Sequence, residues 1–355
     1  MRERKNIENI EEIHLMKTKT LNVAVVGSTG LVGGEILKVL AERHFPVEKI
    51  VPLATARSKG TQISFNGKSV TVEEISLEAF RGVQLALFAG GDKSSEQFAR
   101  DLAKQGTIVI DNSSTFRMAP DVPLVVPEVN PQALKNHNGI IANPNCAAIQ
   151  MLHALKPIYD AVGIEQIIVS TYQAVSGTGK DAVVELLEQS AQVLKGEKTT
   201  PKVYPNQIAF NCMPQAWTLD SSTLYTEEEL KVVKETKKIL GDNQIKVSVT
   251  CVRVPVTRGH GESVYVITKK RITRNEAMEL WKKFPGIRLI DEPENRKYPT
   301  PFEIAGTDFT YVGHIREDLD NPNGLFFWVV ADNLRKGAAT NAVQIAEQLL
   351  ADGLL

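Results

Sequence analysis

Cysteine is scarce in this chain: Cys146, Cys212 and Cys251 are the only three in 355 residues, and no two form a CxxC pair. That spacing excludes a disulfide framework and a cysteine-based zinc site, so no metal is expected. Unpaired thiols suit a reducing, cytoplasmic compartment. An excess of one charge is missing too, because 41 Lys and Arg stand against 42 Asp and Glu for a formal net charge of -1. A chain so balanced offers no electrostatic footprint to nucleic acid or to an anionic membrane. No apolar run reaches the roughly 18 residues that a membrane helix needs. The opening stretch MRERKNIENIEEIHLMKTKT has neither the apolar core of a secretory signal nor the acid-poor character of a transit peptide. Residues 1–20 therefore read as a solvated tail, with Met16 a candidate natural start.

What is present is enough chain for two domains and a large core. LNVAVVG, from Leu21 to Gly27, is a short β-branched run of the kind that forms a strand buried on both faces. GLVGGEILKVLAERH follows with apolar residues at helical spacing (Leu31, Ile36, Leu37, Leu40). KIVPLAT, GVQLALFAG and TIVIDNSS read as further strands, and SSEQFARDLAKQG as a helix opened by Ser and closed by Gly. This alternation, kept up to about residue 145, predicts an α/β fold that begins with a Rossmann-like, doubly wound parallel sheet. The pattern then changes. EQIIVSTYQAVSG, IKVSVTCVRVPV and ESVYVITKK are longer and alternate with period two, which predicts a second, α+β domain with a mostly antiparallel or mixed sheet. The expected division is 21–145, then 146–332, with no internal repeat.

GSTGLVG joins the first strand to the first helix and sets Gly27, Gly30 and Gly33 in GxxGxxG spacing. Glycines there let backbone approach a pyrophosphate, while the helix N-terminus supplies N–H donors; Ser28 and Thr29 add hydroxyls. An NAD site carries a carboxylate about 20 residues further on. This chain has ATARSKG instead, with Arg57, Ser58 and Lys59, a loop suited to a 2′-phosphate and hence to NADP.

ANPNCAAIQML places Asn145 as an N-cap and Cys146 in the first turn of a helix, where the thiolate is favoured. A nucleophilic Cys beside hydride chemistry points to aldehyde or acyl-phosphate substrates. Among six histidines, His260 in TRGHGES has a glycine on each side, which would allow backbone and substrate to come close. Arg253 suits a carboxylate, and Arg117, in SSTFRM after a strand end, suits a phosphate. Glu228 and Lys231, three apart on the charged helix TEEELKVVKETKKILG, read as ordinary surface pairing. Cys212 and Cys251 read as structural.

Taken in order, GSTGLVG, DNSSTFRM, VPEVN, ANPNCAAIQ, TYQAVSGTGK, VRVPVTRGHGES and DNLRKGAATNAVQIAE resemble the aspartate-β-semialdehyde dehydrogenase family from about residue 21 to the C-terminus. The resemblance implies NADPH-dependent reduction of L-aspartyl 4-phosphate to L-aspartate 4-semialdehyde through a cysteine thioester. That step belongs to the synthesis of lysine, threonine, methionine and isoleucine. Cys146 would be the nucleophile, His260 the general acid/base, and Gln173 and Asn145 their neighbours at the reacting carbon. Arg253 would grip the substrate carboxylate, Glu228 its ammonium, and Arg117 and Lys231 the phosphate. Gly27, Ser28, Thr29, Gly30, Leu31, Val32, Arg57 and Ser58 would hold NADP, with Ser176, Gly177 and Asn333 on the nicotinamide side. The family plan also returns the C-terminal segment, residues 333–355, to the nucleotide domain and dimerises through the second domain. N-acetyl-γ-glutamyl-phosphate reductase, or a silent nucleotide-binding relative, is the alternative.

Overall fold

The computed structural model describes residues 20–355, so nearly all of the expected tail, Met16 included, lies outside the described residues. Two units make up the remainder: residues 20–143 together with Ala339–Leu355, and Pro144–Ala338. The expected boundaries, 145/146 and 332/333, therefore shift. Asn145 belongs to the second unit because both its backbone and its side chain bond to carboxylates there. Asn333 does too, through paired hydrogen bonds with Ser176.

The first unit contains strands β1 (Leu21–Val26), β2 (Val47–Ala54), β3 (Gln62–Phe65), β4 (Lys68–Thr71), β5 (Glu73–Glu74), β6 (Leu85–Phe88), β7 (Ile108–Asp111) and β8 (Ile140–Ala142). Six of these form a sheet in the order β5-β2-β1-β6-β7-β8, parallel at every pairing. The chain leaves β1 in one direction and then returns to build in the other, which is the doubly wound plan. Helices α1 (Leu31–Glu42) and α2 (Asp92–Lys104) carry the crossovers. All four residues of β6 are buried, as a strand covered on both faces requires. The β3–β4 hairpin stands apart, turned by Asn66 and Gly67 at φ 49° and 75°, the left-handed pair that a two-residue hairpin loop favours.

The second unit starts with α3 (Cys146–Val162), then β9 (Ile164–Gln173), α4 (Lys180–Leu194), α5 (Glu227–Leu240), β10 (Lys246–Arg253), β11 (His260–Thr268), α6 (Arg274–Lys283), β12 (Ile287–Leu289), β13 (Thr310–Glu317) and β14 (Gly324–Ala331). Its sheet runs β10-β9-β11-β14-β13-β12. The central pairings are antiparallel and the two outer ones parallel, a mixed sheet. β9 alternates as the sequence reading expects, with Ile167, Val169, Thr171 and Gln173 buried and Ile168 and Tyr172 exposed. On the covered side, Trp281 of α6 lies 5.1 Å from the Phe327 ring and donates its Nε1–H to the Ala154 carbonyl of α3 at 2.7 Å. The last helix, α7 (Thr340–Ala351), packs Ala342, Val343, Ile345, Ala346 and Leu349 into the core of the first unit. Among the described residues, no helix is long and apolar enough to cross a membrane.

Candidate active site

Cys146 is the first residue of α3, and Asn145 caps that helix by accepting the backbone N–H groups of Ala147 and Ala148 at 3.0 and 3.3 Å. The thiol is half-buried, and its Sγ lies 3.3 Å from Nε2 of His260 although 114 residues separate the two. A helix start favours the thiolate over the thiol, because unpaired N–H groups and the helix dipole present positive charge there.

Four further segments close around this pair. Gln173, at the end of β9, and Arg253, at the end of β10, stand opposite each other in the sheet register. Arg253 is buried, stacks over the Trp217 ring at 4.6 Å and donates from Nη1 to the Ala174 carbonyl. From α5, Glu228 accepts the side-chain amides of Gln173 at 2.9 Å and Asn145 at 2.8 Å, with Lys231 3.6 Å away. Burial alone would raise the Glu228 carboxyl, but the charge of Lys231 and the two amides outweigh it and hold the group below its usual range. Two buried polar atoms, Oε1 of Gln173 and Nε of Arg253, take no hydrogen bond. Buried polar groups are nearly always partnered, so both keep unused capacity to bond a ligand. Gly177 lies against Arg253 and His260: a Cβ there would sit 3.1 Å from Arg253 Nη1 and 3.5 Å from the His260 ring.

Two expectations need correction. Glu228 is 6% exposed and belongs to this cluster, so its pairing with Lys231 is not ordinary surface pairing. Nor do the glycines beside His260 serve substrate approach. Gly259 has φ +88° and sits against the Pro301 backbone, while a Cβ on Gly261 would strike the Trp328 ring at 2.3 Å. Both are demanded by packing. Ser176 and Asn333 bond to one another, and Asn333 Oδ1 also accepts the Gly259 N–H at 2.9 Å, bracing the loop that leads to His260.

Glu235, which no sequence motif singles out, is seven residues after Glu228 on α5 and accepts the Asn145 backbone N–H at 2.6 Å. The i, i+7 spacing could have exposed it, since both carboxylates then share one helix face. Gln150, one turn beyond Cys146, is equally unmarked in the sequence, and its amide donates to the His260 carbonyl at 3.3 Å.

In the first unit the glycine loop is tightly built. Gly27 has φ +77°, where a Cβ would lie 2.5 Å from the Ala89 carbonyl oxygen, and a Cβ on Gly33 would lie 2.1 Å from the Gly27 oxygen. These are the tight turn and the close helix-to-strand approach that a pyrophosphate cradle needs. Leu31 and Val32 open α1 directly above it. Ser28 Oγ is spent on the Leu53 carbonyl at 3.2 Å, whereas Thr29 Oγ1 reaches Ser58 Oγ at 3.3 Å and ties the glycine loop to the basic loop after β2. Arg57 there is exposed. Arg117 is buried, its Nε donating to the Asn143 carbonyl at 3.0 Å and its Nη2 to the Asn112 carbonyl at 2.9 Å. Asn341 of α7 reaches the Asn143 side chain at 2.7 Å and so supports that arrangement from the C-terminal segment.

Two family models match the chain: "Semialdehyde dehydrogenase, NAD binding domain" over residues 22–137 and "Semialdehyde dehydrogenase, dimerisation domain" over residues 155–336. The aspartate-semialdehyde dehydrogenase of Aquifex aeolicus is 52% identical over 338 residues, 94% of this chain and 99% of that protein. The enzyme of the same name from Bacillus subtilis is 48% identical, covering 93% and 97%. A crystal structure of aspartate semialdehyde dehydrogenase II from Vibrio cholerae, complexed with ASA, superposes with a TM-score of 0.91 at 48% identity, over 94% of this chain and 99% of that one.

Proposed function

The chain belongs to the aspartate-semialdehyde dehydrogenase family, and from that premise we propose that it reduces L-aspartyl 4-phosphate to L-aspartate 4-semialdehyde, reversibly, through a thioester on Cys146. The observation that carries this reading is the Cys146–His260 contact at a helix start, with the free polar atoms of Gln173 and Arg253 beside it. The thiolate displaces phosphate from the acyl carbon. When bound, the dinucleotide supplies the hydride that reduces the thioester. Collapse of the resulting adduct, aided by His260, returns the thiolate and frees the aldehyde. Arg253 grips the substrate carboxylate and the ionised Glu228 its ammonium, while Arg117 and Lys231 take the phosphate. An N-acetylated substrate has no ammonium for Glu228, which disfavours the acetylglutamyl alternative.

We also propose NADP as the dinucleotide, because Arg57 and Ser58 stand where a ribose-binding carboxylate would select NAD. Arg57→Ala is then expected to raise the KM for NADP about ten- to hundredfold, the worth of a charged hydrogen bond, and to leave the KM for NAD unchanged. Steady-state titration of each cofactor checks this, and equal effects on both would remove Arg57 from the 2′-phosphate site. The second sheet supports a homodimer: its open face carries the exposed Ile168 and Tyr172 and the half-buried Phe326 and Trp328, apolar area of the kind that a partner covers.

The whole reading is tested by following NADPH formation from aspartate semialdehyde, NADP and phosphate, with N-acetylglutamate semialdehyde as the control. Turnover of the first alone is expected; turnover of the second alone would transfer the chain to the other activity.

A further inference from the structure

The segment between α4 and α5, residues 195–226, contains no helix or strand of its own, yet it is pinned along its length. Two buried side chains of α4 hold its backbone. Glu185 accepts the N–H groups of Lys202 and Val203, Gln189 accepts those of Ile208 and Ala209 at 2.9 and 3.3 Å, and the Gln189 amide donates to Glu185 at 3.1 Å. Further on, Met213 and Arg253 exchange N–H and carbonyl, 2.9 Å each way. β10 is an edge strand, so this bridge closes the sheet edge at Arg253, with Gln173 on the other side. The Thr218 carbonyl then accepts the Glu227 N–H at 2.9 Å, which ties the segment to the first turn of α5, the turn that carries Glu228. Long connections without secondary structure are usually either functional or disordered, and one bonded this firmly is of the first kind. It presents two aromatic rings to one cation. The Arg253 guanidinium carbon lies 4.6 Å from the centre of the half-buried Trp217 ring and 5.9 Å from that of the buried Tyr204. Tyr204 is fixed in turn by a 2.9 Å hydrogen bond between its hydroxyl and that of Thr178.

We propose that Trp217, with Tyr204 beside it, is a positioning residue for Arg253: the rings fix the guanidinium plane before a substrate carboxylate arrives. This deepens the functional reading above and rests on it, because that reading gives Arg253 the carboxylate. The face of an aromatic ring carries negative potential and attracts a cation, and the flat guanidinium also stacks on it. One nitrogen of that group, Nη1, is already committed to the Ala174 carbonyl, whereas the buried Nε has no partner. A guanidinium held by one hydrogen bond and one ring face has little freedom left to lose on binding, and affinity rises by the entropy that binding no longer costs. An aliphatic side chain of similar bulk at position 217 would fill the space without that attraction. Trp217 thus acts on the substrate only through Arg253, and its effect belongs in affinity for the carboxylate, not in the chemistry at Cys146.

Steady-state kinetics and a spectrum decide this. Trp217→Leu removes the ring and should raise the KM for aspartate semialdehyde about tenfold, while Trp217→Phe keeps a ring and should raise it less than about threefold. In both variants kcat and the KM values for NADP and phosphate should stay within about twofold of the unaltered protein. An equal rise in the two variants, or a loss confined to kcat, overturns the proposal. In an Arg253→Ala background, Trp217→Leu should cost less than about a further twofold in kcat/KM, and an undiminished tenfold loss there overturns it too. The Arg253 Nε–H resonance, assigned by its loss in Arg253→Ala, should be displaced by the ring current in the unaltered protein and return toward the free arginine position in Trp217→Leu. A resonance without that displacement overturns the proposal even if Trp217→Leu does not fold. If the unaltered protein does not turn over aspartate semialdehyde at all, the functional reading fails instead, and the resonance still decides whether Trp217 holds the guanidinium.

Discussion

Two neighbouring rows on the covered face of the second sheet have the same burial and opposite character. One row holds Arg253 and Gln173, paired across β10 and β9, with His260 at the start of β11. Two residues further along the same strands lie Cys251, Thr171 and Glu262, Thr171 being paired to both of the others. Every one of these six side chains is at most 3% exposed. In the first row, charge is answered by charge: Arg253 and Lys231 keep Glu228 ionised, and that carboxylate orients two amides. In the second, no opposite charge answers it. Glu262 has no hydrogen-bond partner on either oxygen, and burial pushes it well above the carboxylate range, offset only in part by the nearby Gln150 amide. Burial likewise pushes the Cys251 thiol up, far from reactivity. Depth in the protein does not make a group reactive; partners and a helix start do.

The largest blow to this contrast comes from the proposed nucleophile that faces the first row from the start of α3. Cys146→Ser keeps the shape and loses the thiolate, so kcat should drop by at least about a thousandfold with little change in Tm; near-native phosphate-dependent turnover would end the thioester mechanism. Arg253→Lys keeps the charge but loses the planar fork and the stacking on Trp217. Its kcat/KM should fall about thirtyfold to a hundredfold, mostly through KM. A fall confined to kcat would place Arg253 on the reacting carbon instead of the carboxylate.

The smallest effect on activity belongs to the second row. Glu262→Gln should leave kcat within about threefold, since a neutral acid is exchanged for a neutral amide, and it should raise Tm at pH 8 more than at pH 5. The sign follows from proton binding. Unfolded, this carboxyl ionises near pH 4.3; folded, it stays protonated well above that. The native state therefore holds the extra proton, and wild-type stability declines as pH rises above the unfolded value. Glu228 runs the other way, its contribution complete above the unfolded carboxyl range and lost as pH falls through its lower folded value. Thermal melts at the two pH values test Glu262; a variant less stable at pH 8 would mean that the carboxyl is ionised in the fold.

Much of this was legible beforehand, and unevenly. The first unit's strands read as short apolar runs because both faces are covered, and the glycine loop read as a loop because its seven residues are contiguous. Cys146 at a capped helix start followed from Asn145 and the apolar spacing behind it. Glu228 did not follow, because a helix with charges on every turn does not announce which face will be buried. Gly259 and Gly261 misled for a related reason: their obligation is to Pro301 and Trp328, tens of residues away, and no local pattern records a contact with a distant ring.

By itself, the sequence determined the elements, the doubly wound first sheet, the mixed second sheet and the place of Cys146 at a capped helix start. These depend on periodicity, capping and glycine spacing, which act within a few turns of chain. Only the tertiary structure decided which carboxylate is held low, which is pushed up, and which groups face His260. Those outcomes depend on the dielectric and the hydrogen-bond partners that folding brings to one point, such as the Ala174 N–H 86 residues away in sequence.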